Sequence, residues 1–195
     1  MTADDVPAVA AALARAFFDD PLQTWIIPDG ARRLATLEDV FALLARVLVV
    51  PAGNAWTDAT CSCGAYWFPP GPLPPLTDAG RADLAALDAR LDRAVNQRMR
   101  VCDETLRTHR PTADAFYLQG IGTDPARQGQ GLGSALLAPV LAQLDRDGVP
   151  GYLESTKERN VPFYARHGFA VTGTFSIPPD GPALWSMWRE PRSAS

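Results

Sequence analysis

The 195-residue chain is poor in the residue types that form metal centres, and it has no long apolar run. It contains three cysteines and two histidines, which are too few and too scattered for a metal-ligand set, so we expect no metal site. A membrane-spanning helix needs about twenty consecutive apolar residues. Neither such a stretch nor a signal-like N-terminus is present, so we expect a cytoplasmic protein without a membrane partner.

The chain has a modest acidic excess, with a net charge of −4 at pH 7. That balance disfavours nucleic acid as a partner, because nucleic acid selects a basic surface. Residues 1–60 hold eight acidic and four basic side chains, whereas residues 61–195 hold fourteen of each. The N-terminal third therefore either attracts a cationic ligand or uses its carboxylates as helix caps and solvated surface.

Residues 121–134 contain the most informative motif, a strand-like segment that leads through a glycine-rich turn into an apolar helical pattern. Gly129, Gly131 and Gly133 alternate with other residues at the expected start of the helix. Glycine lets the backbone turn left-handed and approach a ligand closely, and the first N–H groups of a helix are free to bind an anion. The segment therefore predicts a cradle for a pyrophosphate.

Two better-known phosphate-binding loops do not fit this segment. A Walker loop ends in a lysine and a hydroxyl residue, but no lysine stands beside Gly133 and Ser134. A dinucleotide fingerprint has unequal glycine gaps near the start of a βαβ domain, whereas the gaps here are equal and the segment lies past mid-chain. The remaining alternative is a turn that binds nothing, which is disfavoured because glycines at a helix start are destabilising unless something uses them.

Two blocks of the sequence resemble the GNAT superfamily of N-acetyltransferases. Gln128-x-x-Gly131-x-Gly133 matches the family's (Arg/Gln)-x-x-Gly-x-(Gly/Ala) signature. Residues 152–169 are similar to the family's fifth strand and to the short helix that follows it. Within the superfamily the likeness is to the puromycin N-acetyltransferase group of actinobacterial small-molecule enzymes, strongest over residues 115–190 and weaker over residues 4–30.

The resemblance implies acetyl-CoA as the co-substrate and coenzyme A as the product. The strand before the loop would pair with the pantetheine arm, and the loop itself would hold the pyrophosphate. Asn160 lies closer to Tyr164 than the family's usual asparagine does to its tyrosine. The implied contacts with the co-substrate are Ile121, Gly122, Thr123, Gln128, Gly129, Gln130, Gly131, Leu132, Gly133, Ser134, Asn160 and Tyr164.

Acetyl transfer to an amine needs a base for the amine proton and an acid for the departing sulfur. Tyr164 matches the tyrosine that the family often uses as the general acid, and a phenol is protonated at pH 7. Glu154, in the middle of a predicted strand, is the candidate base; the alternative is a structural carboxylate bonded to loop amides. Asp20 and His109 are weaker candidates for the base.

The acceptor-binding candidates are Phe17, Phe18, Asp20 and Trp25, because the resemblance places this acidic and aromatic region beside the acceptor. Ordinary core filling is the alternative for each aromatic residue. An acidic, aromatic pocket suits a flat amine, so the predicted substrate is a small-molecule amine such as an antibiotic or an amino nucleoside. A protein N-terminus or lysine as acceptor, and an acyl-CoA-binding domain without catalysis, are the alternatives.

The predicted fold is a single mixed α/β (α+β) domain over residues 1–195, with a mostly antiparallel central sheet flanked by helices. Residues 1–112 would form the acceptor-side half, and residues 113–195 the acetyl-CoA-binding half. Apolar periodicity predicts helices that start near residues 5, 34 and 132, a short helix over 160–167, and a stretch over 78–108 that is one kinked helix or two. Strands are predicted over 55–59, 60–68, 115–123, 149–155, 169–176 and 183–189.

The start of the chain departs from the family pattern. GNAT chains usually begin with a strand, but here the first helical pattern starts almost at once, so we expect the first edge strand to be missing or reduced to residues 1–3. An unprotected sheet edge invites pairing with another chain. The predicted state is therefore a monomer or a homodimer.

Overall fold

The computed structural model of the chain describes residues 1–192 and contains one mixed sheet with helices on both faces. The strand order is β1-β2-β3-β4-β6-β5, and only the β3–β4 pair is parallel. The mixed α/β fold with a mostly antiparallel sheet is thereby confirmed. The strands are β1 (Ala55–Thr57), β2 (Cys63–Phe68), β3 (Phe116–Thr123), β4 (Gly151–Ser155), β5 (Ala170–Ser176) and β6 (Ala183–Arg189).

The helices lie in the expected regions, with one addition. The last part of α3 continues as a π-helical turn, and short 3₁₀ turns precede α6 and α7. The long helical stretch is two helices, because Leu91 between them has the extended conformation. Within residues 1–192 the α-helices are α1 (Val6–Phe17), α2 (Pro21–Ile26), α3 (Gly30–Leu44), α4 (Asp78–Arg90), α5 (Arg93–His109), α6 (Leu132–Asp147) and α7 (Val161–Arg166).

The addition is α2, which the apolar periodicity does not predict. Helix α1 ends at Phe17, and Asp20 caps α2 by accepting hydrogen bonds from the amides of Leu22 (3.0 Å) and Gln23 (3.4 Å). Pro21 takes the first helical position, where no N–H is needed. The Asp-Pro pair is a typical helix-start signal, so a closer reading of the capping chemistry would have found this helix.

Two hydrophobic clusters cover the two faces of the sheet. Helices α1, α3 and α5 pack on the face that carries Tyr117 and Tyr152. Helix α6 packs on the opposite face, which carries Leu118 and Leu153. Successive strand residues point to opposite faces, so Glu154 shares a face with Tyr152. The face covered by α1, α3 and α5 therefore holds the predicted acceptor residues and the candidate base together.

A β-bulge in β3 brings α1 close to the sheet. The β3 partners of Tyr66 and Trp67 are two residues apart, so Gln119 is the extra residue of the bulge. Beyond it Gly122 faces α1, and a Cβ there would lie only 2.9 Å from the Cβ of Ala16. The glycine therefore permits a close approach of the helix, and α1 becomes one wall of the space next to β3.

No strand precedes α1 within the described chain, as expected from the sequence. Residues 3–5 form a turn in which the Asp5 carboxylate accepts a hydrogen bond from the Thr2 amide (2.7 Å). The sheet edges are the three-residue strand β1 and the strand β5. None of the helices in residues 1–192 is long and apolar enough to cross a membrane. The same residues contain no group of three or more His, Cys, Asp or Glu side chains placed to hold a metal ion.

Candidate active site

A cleft opens where the two parallel strands separate. β3 and β4 pair only at Phe116 with Gly151 and at Tyr117 with Tyr152. The rest of β3 keeps β2 as a partner on one edge, while its other edge faces a cleft of about 920 Å³. Backbone N–H and C=O groups on such an edge can pair with a ligand that carries amides.

Most residues predicted from the sequence line this cleft. Gln130 and Trp25 are not among its lining residues. Gln130 instead accepts a hydrogen bond from Arg127 (3.1 Å), and Trp25 donates to Asp180 (3.0 Å) in the loop before β6. The predicted residues that do line the cleft are Phe17, Phe18, Asp20, Ile121, Gly122, Thr123, Gln128, Gly129, Gly131, Leu132, Gly133, Ser134, Glu154, Asn160 and Tyr164.

The glycine-rich turn leaves the first amides of α6 without a side-chain cap. Gly129 and Gly131 have φ angles of 77° and 80°, in the left-handed region that glycine adopts without strain. Gly131 is the N-cap of α6 and provides no side-chain acceptor. A Cβ on Gly133 would lie 3.3 Å from the ring of Phe163, so this glycine lets α7 pack against the start of α6. The free N–H groups at such a helix start can bind an anion.

Contacts from three other elements hold this turn in place. Asp124, at the end of β3, forms an ion pair with Arg15 of α1 (2.6 Å). The Gln128 side-chain amide donates to the last carbonyl of β3 (3.1 Å). The Ser134 hydroxyl lies 2.9 Å from Nε2 of His167 at the end of α7. The backbone amides are therefore fixed before any ligand arrives, which lowers the entropic cost of binding.

The side chains around the cleft favour an anion. Five basic side chains line it, against three acidic ones. A basic excess in a concave site attracts negative ligands and complements the positive end of α6. A diphosphate therefore fits both the backbone and the charges of this site. The basic residues are Arg15, Arg127, Lys157, Arg159 and Arg166, and the acidic ones are Asp19, Asp20 and Glu154.

Glu154 carries a buried carboxyl group beside the cleft. Both carboxylate oxygens are shielded from solvent, and neither has a hydrogen-bond partner in residues 1–192. Burial raises the pKa of Glu154, while the phenol of Tyr117 and the charge of Arg110 act in the opposite direction. The alternative of a structural carboxylate bound to loop amides does not match this arrangement. A carboxyl group with a raised pKa can accept a proton closer to neutral pH than an exposed one.

Tyr164 of α7 is suited to donate a proton rather than to accept one. Its ring packs edge-on against Phe163 (5.2 Å between centroids) and Phe169 (6.2 Å). Burial raises the pKa of its phenol well above the ordinary value, and the negative charge of Asp20 acts in the same direction. The phenol therefore keeps its proton at neutral pH and remains available as a donor.

The predicted acceptor residues lie along the α1 wall of the cleft. Asp20 is only 3% exposed, and its carboxylate is occupied by the α2 cap and by a hydrogen bond from the Thr156 hydroxyl. Burial raises its pKa. Phe17 packs against Phe41 (5.2 Å between centroids), and Phe18 is 37% exposed. The two phenylalanines therefore present the apolar surface of this wall, while Asp20 fixes its shape.

Two links join this wall to the opposite side of the cleft. Lys157 Nζ lies 2.8 Å from Asp19 Oδ1, and Thr156 donates to Asp20. We call these two contacts the corner bridge, because they connect the α1–α2 corner with the loop after β4. The sequence gives no sign of the bridge, since its partners are more than a hundred residues apart.

His109 lies away from the cleft. Its Nδ1 is 2.8 Å from the carbonyl oxygen of Thr105, and its ring stacks on Phe175 (4.0 Å between centroids). It therefore caps the last turn of α5 and lines a separate cavity of about 420 Å³. His109 is therefore not placed to act as the base in the cleft. Glu154 remains the base candidate, and its carboxylate oxygens have no hydrogen-bond partner in residues 1–192.

Sequence reasoning missed Arg110 and Tyr117. The guanidinium carbon of Arg110 lies 4.0 Å from the centre of the Tyr117 ring, and both residues influence Glu154. Strand alternation could have placed Tyr117 on the same face as Glu154. No local pattern links Arg110 to either residue, because the contact depends on how α5 crosses the sheet.

Known proteins with similar sequences are acetyltransferases. The Acetyltransferase (GNAT) domain family matches residues 90–171. The chain is 28% identical to an uncharacterized N-acetyltransferase of Schizosaccharomyces pombe, over 99% of this chain and 83% of the relative. It is 41% identical over 56 residues to a mycothiol acetyltransferase of Brachybacterium faecium, which is 27% of this chain and 17% of that protein.

A solved structure from Corynebacterium glutamicum has a similar fold over the full length. It is described as histone acetyltransferase HPA2 and related acetyltransferase. The alignment covers 100% of this chain and 96% of the other, with 25% identity and a TM-score of 0.71. The overall fold of this chain is therefore similar to that of a protein described as an acetyltransferase.

Proposed function

We propose that the chain is a GNAT-type N-acetyltransferase and that it transfers the acetyl group of acetyl-CoA to the amine of a small molecule. The observation that carries the proposal is Glu154. Its unpartnered carboxyl group lines the same cleft as the amides that begin α6. One cleft thus offers both an anion cradle and a proton acceptor.

The loop half of the cleft is proposed to bind the co-substrate. The amides at Leu132, Gly133 and Ser134 face the diphosphate, and each hydrogen bond to a charged oxygen contributes roughly 1.5–3 kcal/mol. The free edge of β3 offers the backbone groups of Ile121 and Thr123 to the pantetheine amides. The pantetheine arm would then run along β3 from the glycine-rich turn towards Tyr164 and Glu154, which line the same cleft.

Glu154 and Tyr164 would divide the proton transfers between them. Glu154 accepts a proton from the acceptor's ammonium group, so that the nitrogen lone pair can attack the thioester carbonyl. Tyr164 gives its phenolic proton to the sulfur as the C–S bond breaks. The nitrogen's second proton replaces the one lost by Tyr164, and Glu154 releases its proton to solvent. The products are an amide and coenzyme A.

The α1 wall supports a small acceptor. The corner bridge joins the two walls of the cleft, and this limits the size of an acceptor that can enter beside it. Phe17 and Phe18 offer apolar surface to a flat ligand. The sequence likeness to the puromycin N-acetyltransferase group points to an antibiotic or an amino nucleoside.

A protein N-terminus or lysine is the second candidate acceptor. The observation in its favour is the likeness, at 25% identity, to the structure described as a histone acetyltransferase and related acetyltransferase. Such an acceptor needs an open groove, whereas the corner bridge joins the two walls of this cleft. The small-molecule proposal therefore accounts for more of the geometry.

The test is to incubate the protein with acetyl-CoA and a panel of amines and to follow thiol release. The panel contains amino nucleosides, antibiotics with free amines, and peptides with a free N-terminus or lysine. Release is expected with small amines and is expected to be lost in Glu154→Gln, whereas the exposed neighbour Glu158→Gln retains it. Release with peptides alone would favour the protein acceptor. Tight binding of acetyl-CoA without release from any amine would reveal a non-catalytic binding domain.

A further inference from the structure

We propose that Arg110, stacked on Tyr117, is a positioning residue that keeps the carboxyl group of Glu154 charged and ready to accept a proton. This inference rests on the proposed function, because it takes Glu154 as the base of acetyl transfer. Arg110 is not among the residues that line the cleft. Its positive charge, held against the ring of Tyr117, acts on Glu154.

The backbone fixes where Arg110 starts. Its N–H closes the last turn of α5 by bonding to the carbonyl oxygen of Leu106 (2.9 Å). Pro111 follows, and a residue before proline is held in an extended conformation. Arg110 accordingly has φ −62° and ψ 140°. The chain therefore leaves α5 at a defined angle, and the side chain of Arg110 reaches the start of β3.

The guanidinium then lies over an aromatic ring next to the base. Its carbon is 4.0 Å from the centre of the Tyr117 ring, within the range of a cation–π contact. Tyr117 is only 8% exposed, and its ring centroid is 5.9 Å from that of Tyr152. The Tyr152 hydroxyl donates to Ser186 (3.2 Å), and the nearby phenols of Tyr117 and Tyr152 both act to lower the pKa of Glu154.

The groups around Glu154 come from four elements. Helix α5 contributes the Cys102 thiol, whose raised pKa keeps it neutral at pH 7, and the Asp103 carboxyl group, on which the charge of Arg110 also acts; Arg110 follows that helix. Strands β3, β4 and β6 contribute two phenols and a hydroxyl, which are neutral at pH 7. The positive charge of Arg110 therefore offsets burial of the Glu154 carboxyl group. The groups are Cys102, Asp103, Arg110, Tyr117, Tyr152 and Ser186.

Carbon-13 NMR of the glutamate carboxyl groups measures this effect directly. The chain has five glutamates, so the spectrum is simple, and Glu154→Gln identifies the Glu154 signal. In Arg110→Gln the titration midpoint of Glu154 is expected to move up by roughly 0.5–1 pH unit, because a nearby opposite charge favours the ionised form. Arg110→Lys keeps the charge but not the planar stacking, so a smaller shift is expected.

The kinetic readout must agree with the NMR shift. The acid limb of the kcat/KM profile should move up by the same amount in Arg110→Gln, while the KM for acetyl-CoA stays constant. Arg107→Gln is the matched control, since Arg107 lies on the same helix, is exposed and is paired with Glu104 (2.6 Å). It should leave the Glu154 midpoint unchanged.

The outcomes separate this inference from the proposed function. An unmoved Glu154 midpoint in both Arg110 variants overturns the inference, whether or not the wild type acetylates an amine. A loss of activity in Arg110→Gln with an unmoved midpoint overturns it as well, because the arginine would then act by another route. Absence of turnover with every amine overturns the proposed function instead.

Discussion

At the scale of single residues, one physical effect gives Glu154 and Tyr164 opposite chemical abilities. Burial raises the pKa of both groups. For the carboxylic acid, the shift moves proton affinity towards neutral pH, which suits a base. For the phenol, the shift moves ionisation further from neutral pH, which suits an acid that must keep its proton until the sulfur leaves.

The buried carboxyl group of Glu154 should make stability depend on pH. Its pKa is raised above the ordinary 4.5, so the folded protein holds this proton more tightly than the unfolded chain does. The resulting stabilisation is complete below about pH 4.5 and is lost as the pH rises through the raised value. Glutamine cannot ionise, so Glu154→Gln should melt at a higher temperature than the wild type at pH 8, with the gap closing towards pH 4.

Calorimetry of the two proteins across that pH range checks this expectation. Glu158→Gln removes an exposed carboxyl group from the neighbouring turn and should follow the wild type. A wild type that is more stable than Glu154→Gln at pH 8 would mean that the carboxylate has a native partner, contrary to its orphaned oxygens.

Tyr164→Phe should separate acid catalysis from packing. The change removes one hydroxyl and keeps the ring between Phe163 and Phe169. If the phenol protonates the sulfur, kcat should fall by roughly 10²–10⁴ with little change in acetyl-CoA affinity. Steady-state kinetics and calorimetric titration measure the two quantities. Tyr66→Phe removes another buried hydroxyl outside the cleft and should retain activity; an equal loss in both variants would contradict the specific role of Tyr164.

At the scale of elements, the two ends of α6 offer a matched pair of glycines. Gly131 caps the start of the helix with φ 80°, and Gly148 ends it with φ 67°. No atom lies within 4 Å of a Cβ at either position, so alanine would add strain without a clash. Each substitution should cost about 1–2 kcal/mol of stability, which is the penalty of a left-handed alanine.

Only one of the two should change ligand binding. Gly131 lines the cleft, whereas Gly148 lies at the far end of α6. Gly131→Ala should therefore weaken acetyl-CoA binding, because it disturbs the amides that face the diphosphate, and Gly148→Ala should not. Denaturant unfolding and calorimetric titration provide the comparison. Equal loss of affinity in both would show that binding merely follows stability.

The sequence was most informative where function depends on neighbouring residues. The spacing of Gly129, Gly131 and Gly133 predicts the turn and the start of α6, because each position acts through its own backbone. Apolar periodicity likewise predicts the helices, and strand alternation places the sheet residues. These local signals account for the fold class and for most of the residues that line the cleft.

The sequence was least informative where function depends on contacts between distant segments. Trp25 is predicted from the sequence as an acceptor-site residue; it donates to Asp180, 155 residues away, and is not among the residues that line the cleft. The contact of Arg110 with Tyr117 depends on how α5 packs across the sheet. No periodicity records such contacts, because they follow from packing rather than from the order of residues.

At the scale of the whole molecule, acidic and basic side chains have different roles: several acidic ones hold elements together, whereas basic ones line the cleft. The acidic excess of residues 1–60 does not form one wall for a cationic substrate, since Asp20 caps α2 and Asp19 pairs with Lys157. The basic side chains of the cleft come mainly from the later part of the chain. We expect them to provide the long-range attraction for the proposed co-substrate, which carries phosphate groups.

That attraction should respond to salt. Raising sodium chloride from about 50 mM to 500 mM shortens the range of surface electrostatics and should weaken acetyl-CoA binding on the order of tenfold. Pantetheine has the same amides and no phosphates, so its affinity should change little. Titration of both ligands at both salt concentrations tests this, and equal salt sensitivity would argue against the basic residues as the source of affinity.

The short β3–β4 contact has a mechanical consequence. Within residues 1–192, two residue pairs of the backbone ladder join the half-sheet β1-β2-β3 to the half-sheet β4-β6-β5. A ligand whose amides bridge the gap between β3 and β4 would connect the two half-sheets beyond those two residue pairs. The bound co-substrate would then help to hold together the site in which it reacts. Product release would loosen the contact between the half-sheets as well as empty the site.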